Sequence, residues 1–527
     1  MNLIPINGID ITIISVYIAA LLAIGFFYKK KHTNANPAEV LFLSGRSLKW
    51  YQVGFSIFST NVSPMYLVGY CGIAYTTGMV TANFDWLAWG FLMLLCFVFI
   101  PHYLTNKIST MPEFLLRRYG KLSHAFMSYY TMFSTLIVWV SFVLFTGGIV
   151  VAQITGVSFW VAALIIALLA ISYTVKGGLG AIVRTGLFQS VIVIGVTIIL
   201  GILALIKIGG ISELYAKTPK EFWSIFRPST DKEYPWHAII LGYPVIGIWY
   251  WCTDQTIVQR TLAAKNIAEG QKGAWLVALL KALMPFIFLM PGIYCLILYP
   301  HLQNPDHAYV TIISGVLPVG LIGLALGALI AALMNDVAMG LNAFSTVFSM
   351  DVYARKINPN ATPEDISRVG KWVIVISAAI AVLLAILISR SGKGLFNLSQ
   401  AVGVFLAPPL SAVFLLGVLW KRATARAAEL TLFIGSAVCL GIGICHVTDY
   451  PQKDFWPHYM LMAFYMMVAL VLFMIIVSLL TPRPPKQFEL ATLKESYNQS
   501  NARFSFLIVG MWLLLAVGMF ILYYLFR

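Results

Sequence analysis

Fourteen stretches of this chain are apolar over about the length a helix needs to cross a bilayer, and little sequence remains between them. They lie near residues 8–28, 52–72, 82–104, 123–153, 156–175, 183–208, 237–252, 273–299, 311–350, 369–389, 396–420, 427–447, 457–481 and 504–526. Hydrocarbon offers no water to unpaired backbone groups, so only helices and closed barrels span it. A barrel strand alternates over ~10 residues, whereas these windows are long and continuously apolar. The fold class is therefore all-α, a polytopic membrane protein of about fourteen transmembrane helices. Composition agrees: 60% of residues are hydrophobic and 10% charged, against about 25% charged in soluble domains. A water-soluble enzyme, a disordered chain and a disulfide scaffold are excluded on the same figures.

The net charge of +15 needs no nucleic-acid partner once its placement is read. With the N-terminus outside, 25 of the 35 Lys and Arg fall on cytoplasmic loops and 9 on the outer side, leaving Lys281 inside a span. Lys and Arg in short loops mark the cytoplasmic face, so both termini are expected outside. The six cysteines lack CxxC spacing and sit in or beside apolar runs, which reads as buried free thiols. The first apolar run precedes Lys29-Lys30-Lys31 and lacks an A-x-A cleavage site, so it is expected to be retained as a span. No loop exceeds about 30 residues, and the eight histidines are scattered at loop edges and span ends. No enzyme is expected. The short loops fit a bacterial inner membrane, with the lipid bilayer as the surrounding partner.

Two windows are interrupted in their middles. One reads Ser56-Ile-Phe-Ser-Thr-Asn-Val-Ser-Pro-Met-Tyr66, with hydroxyls, an amide and a proline inside a span; the other reads Gly242-Tyr-Pro-Val-Ile-Gly-Ile-Trp-Tyr-Trp251. Proline removes a helix hydrogen bond, and non-helical backbone at membrane depth persists only beside protein or a wet cavity. Each alone is compatible with a packing kink. Together they occupy the second and seventh windows, the same place in two consecutive five-helix units of opposite orientation. That arrangement points to an inverted-repeat carrier with its site at the repeat interface. The corresponding division is 1–50 for an added helix and loop, 51–235 and 236–425 for the two repeats, and 426–527 for further helices.

Several motifs carry a resemblance. They are Phe42-Leu-Ser-Gly-Arg-Ser-Leu-Lys-Trp50, Thr110-Met-Pro-Glu-Phe-Leu-Leu-Arg-Arg-Tyr-Gly120, Thr174-Val-Lys-Gly-Gly-Leu-Gly-Ala181, Trp249-Tyr-Trp-Cys-Thr-Asp-Gln255 and Asn342-Ala-Phe-Ser-Thr-Val-Phe-Ser-Met-Asp-Val-Tyr353. In this order the chain resembles the sodium/solute symporter family, in its sodium/glucose cotransporter branch. The resemblance implies a five-plus-five inverted repeat (LeuT-like) working by alternating access. It implies a substrate site of Asn61, Tyr66, Asp85, Lys281, Tyr250, Trp251 and Gln400. The implied gates are Tyr70, Phe84 and Phe396 outside and Tyr250 inside. The expected cargo is a hexose, an inositol or a sugar derivative, with sodium as the coupling ion and no cofactor. Oligomeric state is left open.

Read from the residues alone, Lys281 is an intramembrane cation, which either pairs structurally with Asp85 or serves the solute. Asp85, near a helix start, is equally suited to capping. Gln400 and Asn61 suit interhelical hydrogen bonding, and the aromatic residues suit plain packing. The chain departs from the resembled pattern around the ion. Carbonyls of Ser59 and Val62 fit the expected ligands on one side. On the other, Ala332 is followed by Asn335 and Asp336 where the family has a serine pair, and Gly186 follows Thr185 where the family has an aspartate. One carboxylate is lost and another gained. Asp336 is then a replacement sodium ligand, a proton carrier, or the fixed partner of a cation such as Arg184.

Overall fold

A computed structural model describes residues 6–27, 36–63, 65–391, 393–452, 455–485, 488, 490, 493–499 and 506–527, the side chains of 65, 153, 154, 391–403, 494, 498 and 499 excepted. Among the described residues there is no β-sheet, only the isolated bridges Leu48–Ala264 and Arg227–Pro235. Ten helices among the described residues are long and apolar enough to cross a membrane. The remaining windows miss that standard for local reasons. Residues 52–72 and 237–252 are divided into shorter helical pieces, and within 396–420 only Val404–Leu419 forms a described apolar helix. Windows 156–175 and 183–208 run together as Phe159–Ile208, bent at Gly178 (φ 59°, ψ −150°).

Gly178 therefore replaces the cytoplasmic loop expected over 176–184. Its backbone lies in a region that L side chains rarely adopt, and a Cβ there would come within 2.3 Å of the Leu41 carbonyl oxygen. Only glycine lets the bend and the contact with the Pro37–Leu43 helix coexist.

The core forms where helices lose lipid and gain one another. The Phe159–Ile208 and Leu321–Val347 helices pack most extensively, and Ile267–Phe288 packs along Trp50–Asn61. Leu321–Val347 is buried along nearly all of its length. By contrast, Ile199, Ile202, Ile206, Leu383 and Leu387 are exposed, as expected of lipid-facing positions. The Gly8–Phe26 helix seats against both Phe159–Ile208 and Leu321–Val347.

Gly178→Ala is expected to destabilise the protein by about 2 kcal/mol through strain and clash. Gly195→Ala, in the same helix with nothing within 4 Å of the added carbon, should be neutral. Thermal unfolding of both variants in detergent checks this; equal melting temperatures would refute the account of the bend.

Candidate functional site

The first interruption falls where its residues foretell. Trp50–Asn61 ends at Val62 (φ −92°, ψ 74°), and helix resumes as Met65–Tyr70 and Cys71–Thr77. The Ser63 carbonyl accepts from the amides of Tyr66 and Leu67, each at 3.0 Å. The second interruption lies later than the sequence suggests. Pro244 stays inside Trp236–Gly247, and the chain leaves helix only at Asp254 (φ −70°, ψ 129°). Between them, Ile248–Thr253 widens into i→i+5 turns, a common way for a helix to accommodate a local insertion or a missing bond. Asp254 then caps Gln255–Leu262 by accepting from the Thr256 amide at 2.8 Å.

The two broken segments meet. Tyr250 Oη donates to Asn61 Oδ1 at 3.3 Å, while Asn61 Nδ2 donates to the Ile57 carbonyl at 3.0 Å. Beside this contact lies a cavity of about 360 Å³ whose lining includes Asn61, Tyr66, Tyr70, Phe84, Tyr250, Trp251 and Lys281. Seven of the ten residues named for substrate and gates thus share one space. Asp85 stands behind Lys281 and does not line it. The side chains of Phe396 and Gln400 fall outside the described residues.

Lys281 is held on three sides. Its Nζ donates to Asp85 Oδ1 at 2.7 Å. It also lies 5.0 Å from the centroid of the Tyr66 ring and 5.4 Å from that of Trp251, within cation–π reach. Asp85 is not the cap of its helix: it sits inside Ala82–Trp86, whose cap position is Thr81. Its neighbours fix it, Asn83 Nδ2 donating to the Ile225 carbonyl at 2.6 Å and Trp86 Nε1 to the Ala282 carbonyl at 3.0 Å. Both charges are buried, so the pair is desolvated and each ion depends on the other. Pro285, one turn beyond, has no N–H to give the Lys281 carbonyl. Aromatic contacts flank the cavity: Tyr66 and Tyr70 rings lie 4.4 Å apart, and Phe84 faces Tyr243 at 6.3 Å.

The residues named for the ion form a second, drier group. Asn335 Nδ2 donates to Ser59 Oγ and to Met339 Sδ, each at 3.1 Å. Gly186 packs onto the same pair, since a Cβ there would lie 2.4 Å from Ser59 Oγ and 3.4 Å from Asn335 Nδ2. The Ser59 carbonyl accepts from the Val62 amide at 3.3 Å. Ala332 is buried, its backbone N 3.3 Å from the side-chain amide of Gln189. Asp336 is wholly buried, and among the described residues neither of its carboxylate oxygens nor Asn335 Oδ1 has a hydrogen-bond partner. Of the alternatives for Asp336, a hydrogen-bonded pair with Arg184 is not formed, Arg184 being exposed. The cation acting on Asp336 is Arg260, whose Nε donates to Ser56 Oγ at 3.2 Å.

Lys281 has company among buried cations in Arg260. Counted with a loop from its sequence position, it is 2% exposed, because the late break at Asp254 carries the next helix back into the protein. The cavity also uses Tyr130, Trp139, Tyr243 and Trp249. Tyr243 and Trp249 lay within the interrupted stretch that drew attention; Tyr130 and Trp139 carried no signal apart from their apolar window.

An all-helical membrane protein with a charged, aromatic cavity between two interrupted helices is a secondary transporter. The chain belongs to the sodium:solute symporter family, whose pattern it matches over residues 41–435. It is 31% identical to the sodium/myo-inositol cotransporter of Homo sapiens, over 91% of this chain and 74% of that one. It is 29% identical to sodium/glucose cotransporter 1 of Oryctolagus cuniculus, over 91% and 80% respectively. Its fold matches a Na+-coupled sialic acid symporter in a substrate-bound outward-open state, with a TM-score of 0.79 and 24% identity over 90% of this chain and 99% of that one. The LeuT-like all-α architecture expected from the sequence is thereby established.

Removing one member of the buried pair leaves the other charge without a counterion. Asp85→Ala should cost about 3–5 kcal/mol of stability. The double variant Asp85→Ala/Lys281→Ala should recover most of that loss while still failing to transport. Melting curves and uptake on the three proteins check this, and a double variant as unstable as the single one would refute it.

Proposed function

We propose that this transporter carries a neutral polyhydroxylated solute, a hexose, an inositol or a close derivative, by sodium-coupled symport and alternating access. The observation that carries the reading is the cavity where Tyr250 bonds Asn61 across the two helix breaks. Each sugar hydroxyl both donates and accepts, and the amide of Asn61, the phenols of Tyr66 and Tyr250 and the ammonium of Lys281 offer both kinds of partner. The flat rings of Trp251 and its neighbours suit the apolar face of a pyranose or cyclitol. A carboxylate solute is disfavoured because the charge of Lys281 is already neutralised by Asp85. The names of the sodium/myo-inositol and sodium/glucose relatives support the same class.

For the ion we assign Asp336 as the principal ligand, with Asn335 Oδ1 and Ser59 beside it and the Val62 and Ala332 backbone nearby. Sodium is a hard cation that takes oxygen ligands, and an unpartnered buried carboxylate is costly unless something neutralises it. Two unpaired carboxylate oxygens and an unpaired amide oxygen on adjacent residues favour a ligand role over a fixed ion pair. The two repeats then run over 51–235 and 236–425, flanked by the helix and loop of 1–50 and by 426–527, with both termini outside a cell membrane.

Uptake into proteoliposomes tests this directly. An inward sodium gradient should accumulate myo-inositol or glucose above equilibration, while a proton gradient or no gradient should only equilibrate it. Asp336→Asn should raise the sodium concentration for half-maximal uptake by about tenfold. Accumulation under a proton gradient alone would make Asp336 a proton carrier. Equilibration under every condition would make the protein a uniporter.

A further inference from the structure

The Gly8–Phe26 helix lies outside the stretch that matches the family, yet it grips Leu321–Val347, which bears Asn335 and Asp336, and Phe159–Ile208, whose Gly186 packs on Ser59 and Asn335. Asp10 is wholly buried. Its Oδ1 accepts from the amides of Gly320 at 2.7 Å and Gly323 at 2.8 Å, and its Oδ2 accepts from the Asn7 amide at 3.2 Å. The first two are amides at the start of Leu321–Val347, where a helix leaves donors unsatisfied and carries partial positive charge. A carboxylate contributed from 310 residues away in sequence is thus the anion that terminates the helix carrying Asn335 and Asp336.

The seat is shaped for this contact. A Cβ on Gly323 would come within 2.5 Å of the Asp10 carbonyl oxygen, and one on Gly327 within 3.1 Å of the Tyr17 ring. The small residues let the two backbones approach closely, as in other membrane helix pairs. Further along, Tyr17 stacks on Phe188 at 5.6 Å, two residues from Gly186. A Cβ on Gly25 would lie 2.6 Å from the Tyr173 Cβ, and Tyr173 Oη donates to the Met334 carbonyl at 3.2 Å, next to Asn335. One helix therefore registers both walls of the ion site against each other.

We propose that Asp10 is a positioning residue for the coupling ion: by anchoring the start of Leu321–Val347 it sets the depth and register of Asn335 and Asp336 against Gly186 and Ser59. This rests on the assignment of Asn335 and Asp336 to the ion. The solute cavity contains no residue of the Gly8–Phe26 helix, so the effect falls on ion dependence and spares solute recognition.

The test measures sodium dependence of inositol or glucose uptake in proteoliposomes, and solute KM at saturating sodium, for wild type, Asp10→Ala, Asp10→Asn and Asp336→Asn. Asp10→Ala should raise the half-maximal sodium concentration by about tenfold, the effect typical of losing an outer support of a metal site, with solute KM and maximal rate within about twofold. Asp10→Asn keeps one oxygen for Gly320 and Gly323 and should restore most of the affinity. If Asp10→Ala does not fold, Gly327→Ala, which presses on Tyr17 without touching the carboxylate, should give a smaller shift of the same kind. Unchanged sodium dependence in Asp10→Ala (or in Gly327→Ala where it stands in), or an equal loss of sodium and solute affinity, overturns the proposal while leaving the ion site standing if Asp336→Asn still responds. A silent Asp336→Asn overturns the ion assignment itself, and the positioning role with it.

Discussion

Backbone that leaves helical geometry inside a membrane must find hydrogen-bond partners within the protein, and this requirement organises the centre of the molecule. The break after Asn61 is answered by the Ser63 carbonyl receiving the next two free amides and by the Asn61 side chain bonding back to Ile57. The break at Asp254 is answered by its own carboxylate, which accepts from both the amide and the hydroxyl of Thr256. These local solutions bring polar side chains to membrane depth, and two of them, Asn61 and Tyr250, then face each other. A site of this kind also has a way to move, because a single 3.3 Å hydrogen bond is worth only about 1 kcal/mol and joins two segments that are not continuous helices.

The buried ion pair adds a different constraint. Lys281 and Asp85 lie on separate helices and are both removed from solvent, so the relative position of those helices is tied to keeping the pair together. Aromatic faces on Tyr66 and Trp251 share the ammonium, lowering the field that the cavity presents. The outcome is a polar but nearly neutral pocket. Asp85 Oδ2 keeps no partner of its own, leaving unused acceptor capacity directly behind the lysine.

Much of this was legible from residue patterns, and the failures have physical causes. Apolar length and continuity identify the membrane helices, because hydrocarbon thickness imposes a length that no other environment does. The crowd of hydroxyls before Pro64 marks the first break closely. Pro244 misleads for the second: proline makes bonding to its own nitrogen impossible, but the helix absorbs that loss over the widened Ile248–Thr253 turns and opens only at Asp254. That shift of a few residues hides Arg260, which looks like a loop residue in sequence and is buried in the fold. Gly178 shows the converse limit, since a charged stretch that reads as a loop is a kink at one positive-φ residue where two helices join. Asp10 gave no signal at all. Its role depends on Gly320 and Gly323, over 300 residues away, and on a close backbone approach that no local pattern encodes.

The two departures from the family pattern near the ion are coupled by space, although they lie far apart in sequence. Gly186 lacks the carboxylate, and the room a side chain would need there is already taken by Ser59 Oγ and Asn335 Nδ2. Asn335 in turn donates to Ser59, closing that side with a neutral amide–hydroxyl contact. The negative charge reappears on the next residue, Asp336, which the helical period turns about 100° away from Asn335 and towards the influence of Arg260. A reversal by Gly186→Asp alone would therefore add a second buried carboxylate beside a site already filled, whereas the exchange of both positions conserves the charge.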